Sequence, residues 1–307
     1  MQGYYFSLDS GGSKIQIELY DSKMYRMDTV TLSDGNPTYR DKTEILQNIL
    51  LAFEQLIQQH NITNQQILAV VGVVMIWKCT DIETELQKRY PKAKIAFYSE
   101  KEVNHFCAFG DRDGYILHSG TGSYVYGQFS GKFYEYGGLG SFLGDEGSGF
   151  WIGVQGIQAV IAAIDGRGSP TQMTDLLFSH WQISQSERCF DTVWKVIHGL
   201  TVYSIEAKRK CADFCKIVCF AAENGDFVAL HIVHSAAEEL FRYFKALIIQ
   251  EHLPEHAEYS ISGGVLTHCS ILRDQLIYQI HTTFPHLQYI PTKYEPCYAA
   301  IYRYLKL

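Results

Sequence analysis

With 307 residues, 47% of them apolar and 19% charged, the chain has the balance of a folded globular protein long enough for two domains. Its 26 basic and 33 acidic residues leave a formal net charge of −7, and no basic block interrupts the sequence, which argues against nucleic acid as a principal partner. The longest apolar run, 67–77, is shorter than a bilayer span, the N-terminus lacks a secretory pattern and the eight cysteines are scattered, so the expectation is a cytoplasmic protein with reduced thiols and no membrane partner.

In chain order, the alternation Tyr4-Tyr5-Phe6-Ser7-Leu8-Asp9 predicts a strand, Ser10-Gly11-Gly12-Ser13 a tight turn, and Lys14 to Leu19 a second strand. Residues 43–60 carry apolar side chains at helical spacing, with Thr43 placed as an N-cap. A buried strand over 67–76, a short helix over 81–90, a strand over 93–98 and a helix over 100–109 follow. At Tyr115 the opening pattern returns: a strand over 115–118, the turn Ser119-Gly120-Thr121-Gly122-Ser123, a strand over 124–126 and a further one over 132–136. The repetition predicts an α/β fold of two related lobes, each opening with a β-meander, packed around a cleft. Residues 150–251 read as mostly helical, with 207–224 and 227–251 the most regular stretches. A strand over 258–262 runs into Gly263-Gly264, a helix over 265–282 follows, and Pro296 precedes a terminal helix over 297–305.

Between Gly137 and Trp151 six glycines surround one acidic pair, Asp145-Glu146. Glycine at that density costs backbone entropy, which is tolerated where the chain bends sharply or touches a ligand. Three other glycine turns directly follow apolar strands: 10–14, 119–123 and 262–264. Backbone amides in such turns can cradle phosphate oxygens, yet none has the spacing of a P-loop or of a dinucleotide fingerprint. Taken together they predict a nucleotide held between lobes. Asp9 ends the first strand, where a carboxylate could hold Mg2+ through water or merely initiate the turn, and Lys14 could reach a phosphate. Cys211, Cys215 and Cys219 share one helix face and are expected to pack as small apolar residues rather than to bind metal.

DSGGSK at 9–14, LHSGTGSYVYG at 117–127, GGLGSFLGDEGSGFWIG at 137–153 and SGGV at 262–265 together resemble the N-acetylglucosamine kinase branch of the BadF/BadG/BcrA/BcrD group, within the sugar kinase, Hsp70 and actin superfamily. Pro296-Cys297-Tyr298-Ala299-Ala300 is similar to the group's Pro-x-x-Gly-Ala. The resemblance implies two RNase H-like lobes, 1–113 with the helix 293–307 packing back onto it, and 114–292 with a helical insertion. It implies ATP and Mg2+ as cofactors and a homodimer as the assembly. It places Gly11, Gly12, Ser13 and Lys14 in the first phosphate turn, Gly120, Thr121 and Gly122 in the second, Gly263 and Gly264 at the adenosine, and the metal near Asp9. Asn36, Ser123, Gly144 and Asp145 would bind the sugar.

The group usually carries Asn-Asp after the strand that corresponds to 93–98, the aspartate being its presumed general base; this chain has Ser99-Glu100. Glutamate can take the same proton from a carboxylate displaced by about an ångström. Glu102 is a poorer candidate, further along the helix. The leading expectation is ATP-dependent phosphorylation of an amino sugar, N-acetylglucosamine or glucosamine, with Glu100 as catalytic residue and lobe closure excluding water. The alternative is a weakly catalytic or non-catalytic sensor of nucleotide or sugar with the same fold.

Overall fold

The computed structural model describes residues 3–10, 14–33, 42–74, 80–198 and 205–306. Two compact units divide the chain: Met1–Arg112 with Thr292–Leu307, and Asp113–Pro291.

The first unit contains β1 (Tyr4–Ser10), β2 (Lys14–Asp21), β3 (Arg26–Ser33), α1 (Lys42–Gln59), β4 (Ile67–Val74), α2 (Thr80–Arg89), β5 (Lys94–Tyr98), α3 (Glu100–Phe109) and the chain's last helix, α11 (Pro296–Lys306). Its sheet runs in the order β3-β2-β1-β4-β5. β1, β2 and β3 pair antiparallel, whereas β4 and β5 join in parallel through crossovers. Alternation along the strands sorts the faces. Phe6, Leu8, Ile15, Ile17 and Leu19 pack on Ile45, Ile49 and Phe53 of α1. On the other face, Val71 and Val73 of β4 meet Val103 and Phe106 of α3 and Ala299, Ala300 and Ile301 of α11. Polar residues of β1 and β2 share that second face, Asp9 opposite Gln16 and Ser7 opposite Glu18.

The second unit contains β6 (Gly114–Ser119), β7 (Ser123–Phe129), β8 (Lys132–Gly137), α4 (Gly149–Ile164), α5 (Met173–His180), α6 (Phe190–His198), α7 (Ile205–Glu223), α8 (Phe227–Gln250), β9 (Glu258–Ser262), α9 (Gly264–His268), α10 (Ser270–Thr283) and β10 (Gln288–Tyr289). Its sheet repeats the first unit's connectivity, β10-β9-β6-β7-β8, with the same antiparallel meander and parallel extension. The core joins Tyr115, Leu117 and Val125 to Ile152, Phe214, Leu240 and Phe244 from α4, α7 and α8.

Several elements differ from the sequence expectation. The strand β3 has no predicted counterpart, because only Val30 and Leu32 of its apolar residues pack against the core. The helix expected over 265–282 is two helices, broken at Cys269, whose φ of −99° and ψ of 92° are extended. α1 begins at Lys42, so Thr43 lies inside it rather than capping it. α4 begins at Gly149, one residue before the expected helical stretch, and its N-cap is Ser148, whose Oγ accepts the Trp151 amide at 3.2 Å.

Candidate functional site

In the first unit, register places Asp9 at the end of β1 opposite Gln16 on β2 and Val73 on β4. Burial pushes the Asp9 carboxyl up to about 6; the negative charge of Glu100 adds to this, and Lys14 opposes it. Glu100 opens α3 directly after the N-cap Ser99, and burial raises its carboxyl above the usual range while Lys101 lowers it. The carboxylate expected to hold metal and the one expected to act as base thus lie within electrostatic reach of one another, with Lys14 beside them. Asp9, a largely buried carboxylate whose proton affinity Glu100 raises further, is a hard oxygen donor suited to a divalent cation, and Mg2+ needs only one or two protein carboxylates when phosphates supply the rest.

Lys14 is oriented along its own strand. Its Nζ donates to Gln16 Oε1 at 2.7 Å, and Gln16 Nε2 donates to Glu18 Oε1 at 2.6 Å. Glu18 is completely buried, accepts the Tyr20 hydroxyl, and takes Arg26 at 3.0 Å, which also reaches Glu295 at 2.7 Å. Sequence reading missed this ladder, although a polar residue at every second position of β2 was its signal. Glu102 is engaged elsewhere: its Oε2 accepts the Ser99 amide at 3.0 Å in a capping box, and its Oε1 accepts Arg303 at 3.2 Å.

In the second unit, the Ser119–Ser123 turn is tied to the glycine-rich loop that precedes α4. Ser119 Oγ donates to the Gly147 carbonyl and Ser123 Oγ to the Glu146 carbonyl, each at 2.7 Å. The first amides of α4 are also spent on the turn, Gly149 N–H to the Gly120 carbonyl at 2.8 Å and Phe150 N–H to the Thr121 carbonyl at 3.4 Å. Asp145 is 5% exposed and holds a φ of +60°, the left-handed region that aspartate tolerates better than most residues. Its carboxylate accepts the Ser123 amide at 3.5 Å and lies 3.1 Å from where a Cβ on Gly122 would sit, so a larger residue there would press on the carboxylate. Burial raises the Asp145 carboxyl, against the opposing influence of Lys208 and the Ser123 and Gly140 amides. Glu146 accepts the Tyr243 hydroxyl, and the Gly144 amide bonds the Gly140 carbonyl at 2.9 Å.

The third turn meets the second. Gly263, at φ +90°, passes so close to β6 that a Cβ would fall 2.3 Å from the Ser119 carbonyl, and Gly264 starts α9. The structure therefore gathers Gly120, Thr121, Gly122, Ser123, Gly144, Asp145, Gly263 and Gly264 at one end of the second unit's sheet, and Asp9, Lys14 and Glu100 at one end of the first unit's. Gly11, Gly12, Ser13 and Asn36 lie outside the described residues. Cys215 and Cys219 place their sulfurs 3.9 Å apart, and this contact pushes the Cys219 thiol up against the opposing bond from Cys269; Cys269, at the α9–α10 break, is itself raised well above the usual thiol range by its bond to Cys219 and by burial. Among the described residues no group of three or more histidine, cysteine or acidic side chains is arranged to enclose a metal ion, and no single helix is long and apolar enough to cross a membrane.

A profile of the BadF/BadG/BcrA/BcrD ATPase family matches residues 8–298. A curated relative, the N-acetylmuramic acid/N-acetylglucosamine kinase of Clostridium acetobutylicum, is 25% identical over 304 residues, 97% of each chain. Among solved structures, a provisionally assigned N-acetylglucosamine kinase from Chromobacterium violaceum superposes with a TM-score of 0.74 at 20% identity over 98% of both chains. A ROK family glucokinase from Streptomyces griseus, in complex with glucose and AMPPNP, does so with a TM-score of 0.60 at 14% identity, again over 98% of both. The two five-stranded sheets are those of the actin-like sugar kinase fold.

Proposed function

Because the chain belongs to the BadF/BadG/BcrA/BcrD ATPase family, we propose that it transfers the γ-phosphoryl group of ATP to a hydroxyl of an amino sugar, N-acetylglucosamine or glucosamine. The observation that carries this reading is the placement of Glu100 within electrostatic reach of Asp9, two acids from distinct places in the fold whose proton affinities are both raised, chiefly by burial. In phosphoryl transfer the protein's task is positioning and charge neutralisation, with one group to receive the acceptor's proton.

Asp9 would hold Mg2+, which when bound neutralises phosphate charge and aligns the transferring group. Lys14 adds a second positive charge on the same side, aimed by Gln16. Glu100 takes the proton of the attacking hydroxyl, and a carboxyl whose proton affinity is raised is better matched to that task near neutral pH than an ordinary one. In the second unit, Gly120, Thr121 and Gly122 form the phosphate turn: the Gly120 amide closes it on the Gly122 carbonyl at 2.9 Å, the Thr121 and Gly122 amides are turned to phosphate, and Gly263-Gly264 leaves room for the adenosine. Asp145 accepts hydrogen bonds from sugar hydroxyls, beside Ser123 and Gly144. Gly11, Gly12, Ser13 and Asn36 complete the phosphate and sugar contacts, and the enzyme works as a homodimer.

The relative from Clostridium acetobutylicum, whose name covers both N-acetylmuramic acid and N-acetylglucosamine, supports the amino-sugar class. ADP release measured with a panel of hexoses and hexosamines tests the reading. Stimulation by N-acetylglucosamine or glucosamine above that by glucose is expected; no stimulation by any sugar overturns it.

A further inference from the structure

His118, next to last in β6, has no task in the mechanism above. Register explains its surroundings: it stands opposite Tyr124 on β7 and Ser262 on β9, so all three side chains share one face of the sheet. The imidazole stacks on the Tyr124 ring with centroids 4.7 Å apart and planes 8° from parallel. Its Nδ1 is 2.9 Å from Ser262 Oγ, and its Nε2 lies 3.1 Å from the position of a Cβ on Gly120. One ring therefore touches the second glycine turn from below and hydrogen-bonds the residue that opens the third. Desolvation draws the imidazole down to about 4, so it is neutral under ordinary conditions and brings a hydrogen bond rather than a charge.

We propose that His118 is a positioning residue that locks the Ser119–Ser123 turn to the Ser262–Gly264 turn, so that the two present one preformed cradle to the nucleotide. This rests on the nucleotide-binding reading of those turns. Glycine-rich turns are costly to order when a ligand arrives, and a turn already fixed by its own structure avoids that cost. The close pass of Gly263 against the Ser119 carbonyl brings the backbones together. The His118–Ser262 hydrogen bond holds that approach through side chains.

Calorimetric titration with ADP, alongside KM values for ATP and for the amino sugar, tests the proposal. His118→Leu keeps bulk without a nitrogen and is expected to weaken ADP binding and raise KM for ATP about tenfold, with a much smaller change in KM for sugar, since Ser123 is also held by its bond to the Glu146 carbonyl. Ser262→Ala should give the same loss, and the double variant no more than either alone. His118→Asn restores a nitrogen near the Nδ1 position and should recover most of the affinity. Unaltered ADP affinity in His118→Leu would overturn the proposal, as would equal losses for nucleotide and sugar or a melting temperature that falls in step with affinity. Wild-type protein that binds ADP but phosphorylates no sugar would sink the kinase reading while leaving the His118 comparison decisive; protein that binds no ADP would sink both.

Discussion

Asp9 and Glu100 are where local sequence and chemistry part. Each was visible alone, the first as an acid ending a strand before a glycine turn and the second as an acid opening a helix. Their proximity was not, because parallel pairing of β1 with β4, and of β4 with β5, brings together segments that local pattern does not relate. The raised proton affinity of Asp9 has a sign that can be followed. Its folded value, about 6, stands above the ordinary 3.8, so its contribution to stability is full below about pH 4 and is lost as pH rises through 6. Metal-free Asp9→Asn should accordingly melt at a higher temperature than wild type at pH 7, and the gap should close below pH 4; calorimetric scans at both pH values check this. On the proposed role of Asp9 as the Mg2+ ligand, the metal displaces that proton, and the apparent Mg2+ dissociation constant should rise about tenfold for each pH unit below 6. Asp145 offers a cleaner substitution than most buried acids. Asparagine also tolerates its φ of +60°, so Asp145→Asn should fold normally and raise KM for the sugar by about ten- to a hundredfold, the loss of a charged hydrogen bond.

Among the elements, those with strong periodicity were legible: the opening hairpin, α1, the long helices α7 and α8, and the strand β9 with its glycine turn. Elements held by their neighbours were not. β3 is an edge strand whose apolar pattern is thin, and it forms because β2 offers it a ladder. The break between α9 and α10 leaves the apolar rhythm intact, and Cys269 carries no breaker signal of its own; its side chain is buried against Cys219 instead. The third glycine turn also belongs to this scale, since Gly263 serves both the exit from β9 and the approach to β6. Gly263→Ala would force a Cβ into the Ser119 carbonyl and strain a φ of +90°, and it should lower unfolding free energy by about 1–3 kcal/mol in denaturant titration.

At the scale of the molecule, two units carry one topology, a three-strand meander extended by two parallel strands, and the sequence announces it through its two strand, turn, strand openings. Strand order within each sheet was beyond local pattern for the same reason as the Asp9–Glu100 pairing. Most of the glycine-turn residues stood out as residue types, while the Lys14–Gln16–Glu18–Arg26 ladder and the His118–Ser262 bond needed the register to be seen. The central claim, a sugar kinase whose base is Glu100, is tested most directly by following γ-labelled phosphate from ATP into N-acetylglucosamine and glucosamine with wild type and Glu100→Gln side by side. Labelled sugar phosphate from the wild type, reduced by about a hundredfold or more in Glu100→Gln, is the predicted result. Equal labelling by the two proteins, or no labelled sugar from the wild type, would contradict it.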